Sequence, residues 1–299
     1  MDVVVSGSTG MIGTALAGAL AERGHTMIPL VRRPVTDGER AVRLDPAASE
    51  IDAAALEGVD AVVHLAGESI ASSRWTDEQK AKILQSRTHG TSLLAEALAG
   101  LDRKPSVMVS SSGVGYYGDR GEEVLTETSG PGDDFIADVC VRWEASTGMA
   151  AESGVRVALI RTGIVLDARE GALAKQLLPF KLGIGGRLGS GQQWMSWITL
   201  ADHVAAICHL LENDVSGPVN LVAPNPVRNA DFADTLGRVL KRPTLLPIPT
   251  FAPALLYGKE LVETLLLVSQ RAQPTVLEST GFEFRHPHLE PAMRAVLSR

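Results

Sequence analysis

The sequence predicts a doubly wound α/β fold, a mostly parallel sheet covered by helices, with a small and mainly helical C-terminal domain. Three observations carry this. The apolar run Val3-Val4-Val5 leads into Gly7-Ser8-Thr9-Gly10-Met11-Ile12-Gly13. Short β-branched runs and helical patterns then alternate as far as residue 222. Finally, 227–299 reads as helices separated by Pro-rich loops. A strand, a glycine turn, a helix and a second strand in that order open a Rossmann-type dinucleotide site.

Each element has its reason. Three β-branched residues make a short buried strand, and glycines three apart let the backbone turn sharply and approach a pyrophosphate with no Cβ in the way. Thr9, Met11 and Ile12 lie in the same turn, where the helix points its free N–H groups at the phosphates. Ile12, Leu16, Ala19 and Leu20 recur at helical spacing, Gly24 stands where the helix ends, and 27–31 reads as the second strand. An acidic residue after that strand would bind the adenosine ribose of NAD. Here Arg32 and Arg33 follow, and guanidinium groups suit a 2′-phosphate, so the expected cofactor is NADP(H). A solvated basic turn before Pro34 is the plainer alternative.

Further strands are expected at 41–45, 60–67, 105–111, 155–161 and 219–222, and further helices at 77–100 and 138–153 and from Leu200 onward. The Gly-rich stretch 183–191 reads as a loop into an edge strand over 192–198. Helices at 230–241, 252–268 and 289–298 complete the chain. The expected boundaries are therefore 1–226 for the dinucleotide domain, with a substrate-domain insertion near 170–195, and 227–299 for a small cap. Ligands of such sheets bind at the carboxyl ends of strands, so Gly7 to Gly13, Leu65 to Glu68, Ser110 to Tyr117 and Arg161 to Ile164 should meet in one crevice.

Composition narrows the partners. The 299 residues are 45% hydrophobic, enough to bury a large core, and the net charge of −7 disfavours nucleic acid or an anionic membrane as a general partner. Cys140 and Cys208 lie far apart and suit a reduced, cytoplasmic setting; no export signal is visible, and Lys259, Glu260 and Glu263 interrupt the apolar stretch 251–269. His203 and His209 face different sides of a helix, and His286-Pro287-His288 lacks acidic or Cys partners nearby, so no metal is expected. Neither a Gly-x-Ser-x-Gly elbow nor a Gly-Lys-Ser/Thr phosphate loop occurs. A small-molecule substrate is the expected partner, with a homodimer left open.

The glycine turn, 60–67, Ser110-Ser111-Ser112 with Tyr117-Gly118-Asp119 after it, and Leu159-Ile160-Arg161-Thr162-Gly163 stand in the order of the extended short-chain dehydrogenase/reductase superfamily, nucleoside-diphosphate-sugar epimerase type, which the chain resembles throughout. Gly67-Glu68, Arg74-Trp75, Ser86-Arg87, Gly132-Asp133-Asp134-Phe135 and Gln193-Trp194-Met195-Ser196-Trp197 are similar to an atypical epimerase-like branch, homologues of a cell-division inhibitor with a C-terminal domain of unknown function. The resemblance implies that Ser112 is the catalytic serine and that Arg87 faces the cofactor; a salt-bridged surface arginine is the alternative for Arg87.

One departure matters. Active members of the superfamily use Tyr-x-x-x-Lys, in which lysine lowers the tyrosine pKa and tyrosine exchanges the proton as hydride moves. Here the helix reads Asp134-Phe135-Ile136-Ala137-Asp138-Val139-Cys140, with Phe or Ile near the tyrosine position and Val or Cys near the lysine. Ser112 and Tyr116 are the candidate catalytic hydroxyls that remain, with Tyr117 beside them; both rings also suit simple packing. Leu65, Ala66, Gly67 and Glu68 are cofactor candidates, with Glu68 either holding a ribose hydroxyl or capping the next segment. Trp194 and Trp197 fit a pocket wall or a core, and Asp45 either the adenine amine or a turn. Two readings stand: an NADP(H)-binding, epimerase-like oxidoreductase acting on a small molecule such as a nucleotide sugar, or an inactive NADP(H) sensor or scaffold linked to cell division.

Overall fold

The computed structural model describes residues 1–71 and 73–298. Its strands and helices follow in the order β1 (Asp2–Ser6), α1 (Met11–Glu22), β2 (Thr26–Val31), β3 (Val42–Asp45), β4 (Glu50–Ile51), β5 (Ala61–His64), α2 (Asp77–Gly100), β6 (Val107–Gly113), β7 (Val124–Leu125), α3 (Phe135–Ala145), α4 (Gly148–Glu152), β8 (Arg156–Thr162), β9 (Ile164–Leu166) and α5 (Gly171–Lys181). Then come β10 (Trp194–Met195), β11 (Trp197–Thr199), α6 (Leu200–Glu212), β12 (Gly217–Leu221), β13 (Val227–Arg228), α7 (Asn229–Leu240), α8 (Phe251–Tyr257), α9 (Lys259–Leu261), a π-turn (Val262–Leu266), β14 (Arg271–Ala272), α10 (Thr275–Ser279) and α11 (Leu289–Leu297).

The main sheet has eight strands in the order β12-β8-β6-β5-β1-β2-β3-β4, all parallel except the β3–β4 pair. Strands buried on both faces read as unbroken apolar runs, and their side chains divide by parity. Val3 and Val5 join Leu16, Leu20 and Ile207 on the face covered by α1 and α6, whereas Val4 joins Leu94, Leu98 and Ala150 on the face covered by α2 and α4. Order reverses between β1 and β5, which places the ligand crevice at their carboxyl ends.

Several expectations change. The helix expected over 138–153 is two helices, starting earlier at Phe135 under an Asp134 cap (Ala137 N to Asp134 Oδ1, 2.9 Å) and interrupted at Ser146 and Thr147. The single helix over 252–268 is broken at Gly258, whose φ of +91° no helix continues through. The strand expected over 192–198 is not an edge of the main sheet: β10 pairs with β13 and β11 with β9. The proposed insertion contains a helix, α5, which the glycines after it had obscured. Segments of 227–299 pack in two places. Leu277 sits in the core under the sheet, with Phe282 and Phe284 against it, while α11 packs on α7 in a second apolar cluster around Trp197 and Phe232.

Candidate functional site

The carboxyl ends of β1, β5, β6 and β8 bring together the four segments expected to meet. Gly7 turns the chain at φ +66°, Gly10 N donates to Gly7 O at 3.1 Å, and Gly10 caps α1 with no side-chain hydrogen bond. The amides of Met11, Ile12 and Gly13 have no acceptor among the described residues, as a helix N-terminus requires before an anion arrives. The three glycines differ. A Cβ on Gly13 would lie 2.3 Å from Gly7 O, so the protein's own packing excludes it, whereas one on Gly10 would meet only Gly7 O at 3.4 Å and would otherwise fill the open cradle. The turn thus fits a pyrophosphate. Thr9 is exposed at its rim.

Two residues that the sequence reading passed over hold the cradle. Ser6, His64 and Ser110 lie side by side across β1, β5 and β6. Ser6 Oγ stands 2.8 Å from His64 Nδ1 and accepts from the amides of Leu65 (2.9 Å) and Ala66 (3.1 Å), fixing the crevice wall. Burial pushes the His64 pKa down to about 4 and keeps the ring neutral. The signal was a polar pair inside apolar strands.

Beyond that wall, Arg87 on α2 reaches under Gly67, where a Cβ would stand 3.3 Å from the guanidinium carbon. It is buried, donates to Ile83 O at 3.1 Å and lies 4.9 Å from the Trp143 ring centroid. Burial lowers its pKa, with Cys140 and Glu68 opposing, and no carboxylate lies within ion-pair distance among the described residues. It is therefore not a salt-bridged surface arginine. Glu68 donates its own amide to Ser86 Oγ at 3.0 Å with its side chain exposed.

At the end of β2 the two arginines part company. Arg33 is held by Glu39 (2.5 and 2.9 Å) and donates to Pro34 O at 3.0 Å, while Arg32 is exposed with no hydrogen bond or ion pair to the described residues. Arg32 is the free cation. Asp45 accepts from the amides of Ala47 (3.2 Å) and Ala48 (3.4 Å), which makes it a turn residue.

The chemical end of the crevice is a second polar row. Ser112, Arg161 and Asn220 are neighbours across β6, β8 and β12. Ser112 Oγ donates to Glu144 Oε1 at 2.7 Å, and Glu144 grips Arg161 through both oxygens at 2.9 and 2.8 Å, nearly sealed from solvent. Arg161 also donates to Tyr117 Oη at 3.2 Å, and Tyr117 donates to Asn220 Oδ1 at 2.7 Å. Burial alone would disfavour the Arg161 cation; its hydrogen bonds to Glu144 and Tyr117 overcome this and raise its pKa. Burial raises the Tyr117 pKa, and the ring is fully enclosed, so Tyr117 is structural.

Ile136, Cys140 and Glu144 descend one face of α3 at helical spacing. Ile136 and Cys140, one of the two candidate pairs on this helix with Tyr-x-x-x-Lys spacing, pack against the Gly113–Gly115 turn. Burial, reinforced by Glu144, pushes the Cys140 thiol up to about 12, so it is neither base nor nucleophile. Tyr116 lies flat against Arg161, 3.4 Å from ring centroid to guanidinium carbon, and its hydroxyl has no partner among the described residues. Of the two catalytic candidates, Ser112 has its proton committed and Tyr116 does not. Trp197 is core, its indole donating to Asn225 O at 3.0 Å, and Trp194 is clamped between Arg228 and Arg271.

A doubly wound sheet whose switch point opens on a glycine-turned helix, with a serine at the end of β6, defines an extended short-chain dehydrogenase/reductase. Residues 3–222 match the NAD dependent epimerase/dehydratase family and residues 248–296 match a domain of unknown function, DUF1731. The chain belongs to that epimerase/dehydratase family. It is 41% identical to epimerase family protein Mb2239 of Mycobacterium bovis over 99% of this chain and 98% of that one. It is 36% identical to epimerase family protein SDR39U1 of Homo sapiens over the full length of both. The crystal structure of human SDR39U1 (isoform 2) with NADPH superposes with a TM-score of 0.90 at 35% identity, covering 100% of this chain and 99% of that one.

Proposed function

We propose that this chain binds NADP(H) and acts as an epimerase-like oxidoreductase on a small molecule. The observation that carries the reading is the cradle at Gly10, three amides unpaired among the described residues, with Arg32 after the neighbouring strand β2 also unpaired among them. The human relative crystallised with NADPH supports the same cofactor. Met11, Ile12 and Gly13 would hold the pyrophosphate, Arg32 the 2′-phosphate, and Arg87 with the Leu65–Glu68 wall the inner ribose side. NADPH supplies hydride when bound.

The protein's own residues divide the remaining work. Tyr116 Oη, unpartnered and braced by Arg161, donates a proton to the substrate oxygen. Ser112, whose proton goes to Glu144, presents lone pairs and orients a substrate hydroxyl or amide. The expected outcome is NADPH loss, followed by absorbance, with at least one member of a panel of carbonyls and nucleotide sugars. Tyr116→Phe should abolish that loss while sparing NADPH affinity, because the deleted oxygen acts only on the reacting group. Turnover unchanged in Tyr116→Phe would reject the proton role.

A second reading has one observation in its favour. Phe135 or Ile136 and Val139 or Cys140 stand near where the superfamily has Tyr and Lys and bring neither hydroxyl nor amine there, which suits a protein that senses NADP(H) without turning it over. NADPH binding with no consumption across the whole panel would select it.

A further inference from the structure

Nine of the twelve large apolar side chains that stand exposed among the described residues fall between 178 and 266. They form one face. Leu178 on α5 and Leu182, which caps its carboxyl end, lie one turn apart, and Ile184 follows in the turn beyond. The segment after α7 runs back alongside: Arg242 Nε donates to Lys181 O at 2.8 Å, and Ile248 N donates to Arg187 O at 2.7 Å. Gly186 has no side chain because Leu246 O sits 2.1 Å from where its Cβ would be. Leu245 and Leu246, 86% and 78% exposed, thus stand at the centre of the face, and Phe251, Leu255 and Leu256 of α8 extend it. Scattered exposed leucines need no explanation; a contiguous patch of this size does.

Its charge is opposite to that of the molecule. Residues 171–201 carry three Lys or Arg and no Asp or Glu, and residues 235–266 carry four against Glu260 and Glu263, in a chain of net charge −7. Lys175, Lys181, Lys241 and Arg242 are all exposed around the apolar centre. The face also borders the crevice mouth. Arg74, on the loop that leaves Gly67, donates to the carbonyls of Leu255 and Leu256, and Lys80 pairs with Glu260 at 2.5 Å.

From this we infer that the face seats the protein on an anionic phospholipid membrane, with the leucines and Phe251 among the acyl chains and the cations at the headgroups. Apolar tips on short helices and loops ringed by Lys and Arg are the pattern of interfacial attachment, which needs no spanning helix. Among the described residues no helix is long and apolar enough to cross a membrane. The overall negative charge argues against an anionic membrane as a general partner, so a locally cationic face is what would approach one. A two-fold dimer through the same face would oppose one set of cations with an identical set, so charge disfavours a second copy as occupant.

Sedimentation with vesicles tests this, and it does not depend on the cofactor reading, because NADPH affinity is measured separately on the same proteins. The full chain should sediment with vesicles of equal parts phosphatidylcholine and phosphatidylglycerol and stay in solution with phosphatidylcholine alone. Raising salt from about 0.05 to about 0.5 M should release it several-fold. Leu245→Ser with Leu246→Ser, at side chains too exposed to matter for folding, should lower partitioning about tenfold or more, and Lys181→Glu with Lys241→Glu should do the same, NADPH affinity staying unchanged in both. No sedimentation with either vesicle, or equal sedimentation with both, would overturn the inference. So would a dimer in solution that the double serine variant dissociates, which would assign the face to a second copy.

Discussion

Arg32 leaves β2 with no carboxylate to hold it, while Arg33 is tied down by Glu39, whose carboxyl the pair of hydrogen bonds from Arg33, with others from Thr36, draws down to about 2. On the proposed reading, a 2′-phosphate would meet Arg32 first, and Arg33 only at the cost of its existing partner. Arg32→Ala should weaken NADPH by about tenfold or more and leave NADH nearly unchanged, with Arg33→Ala having the smaller effect. Fluorescence titration of both cofactors against both variants checks this; equal loss for NADPH and NADH would contradict the assignment. That two arginines end the strand was legible in the sequence, but which one is free was not, because the choice is made by Glu39 across a turn. Ser112 shows the same limit. Its match to the serine of the family the chain resembles marked it, whereas Glu144, 32 residues on, decides where its proton goes.

At the scale of elements, periodicity located most of the strands and helices because strands buried on both faces and helices with one apolar stripe leave strong patterns. The long helix over 77–100 matches α2 at both ends, where Thr76 caps the start by accepting from Gln79 N at 3.2 Å. Two-residue strands such as β7 and β14 leave no period to read, and they pair the C-terminal segment with the stretch after β6 in a separate two-stranded sheet. The β1–α1 turn yields the clearest test. Gly10→Val should fold and lose NADPH, since its side chain points only into the cradle, whereas Gly13→Ala should destabilise the turn itself by pressing on Gly7 O. Thermal melting and NADPH titration separate the two. Wild-type affinity in a folded Gly10→Val protein would sink the phosphate role.

Over the whole molecule, two histidines are sealed from solvent. His64 stands at the switch point, and His203 on α6 has Nε2 3.1 Å from Thr162 Oγ1; burial pushes both pKa values down to about 4. The unfolded chain binds protons at these rings near pH 6.5, which the folded chain refuses until about 4. Stability is therefore complete above pH 6.5 and falls as pH drops through that window, by at most about 1.4 kcal/mol per pH unit for each ring. Urea midpoints should fall less steeply in His203→Gln than in the wild type between those limits, and parallel curves would refute the linkage. Fold class and crevice location follow from local pattern, while the membership of the polar rows follows from register between strands far apart in sequence, which no window of sequence contains. The claim on which the rest depends is the cofactor. Titrating NADPH and NADH into the unmodified protein under the same conditions tests it most directly: NADPH binding at least about tenfold more tightly is the predicted result, and equal affinities, or no binding of either, would contradict it.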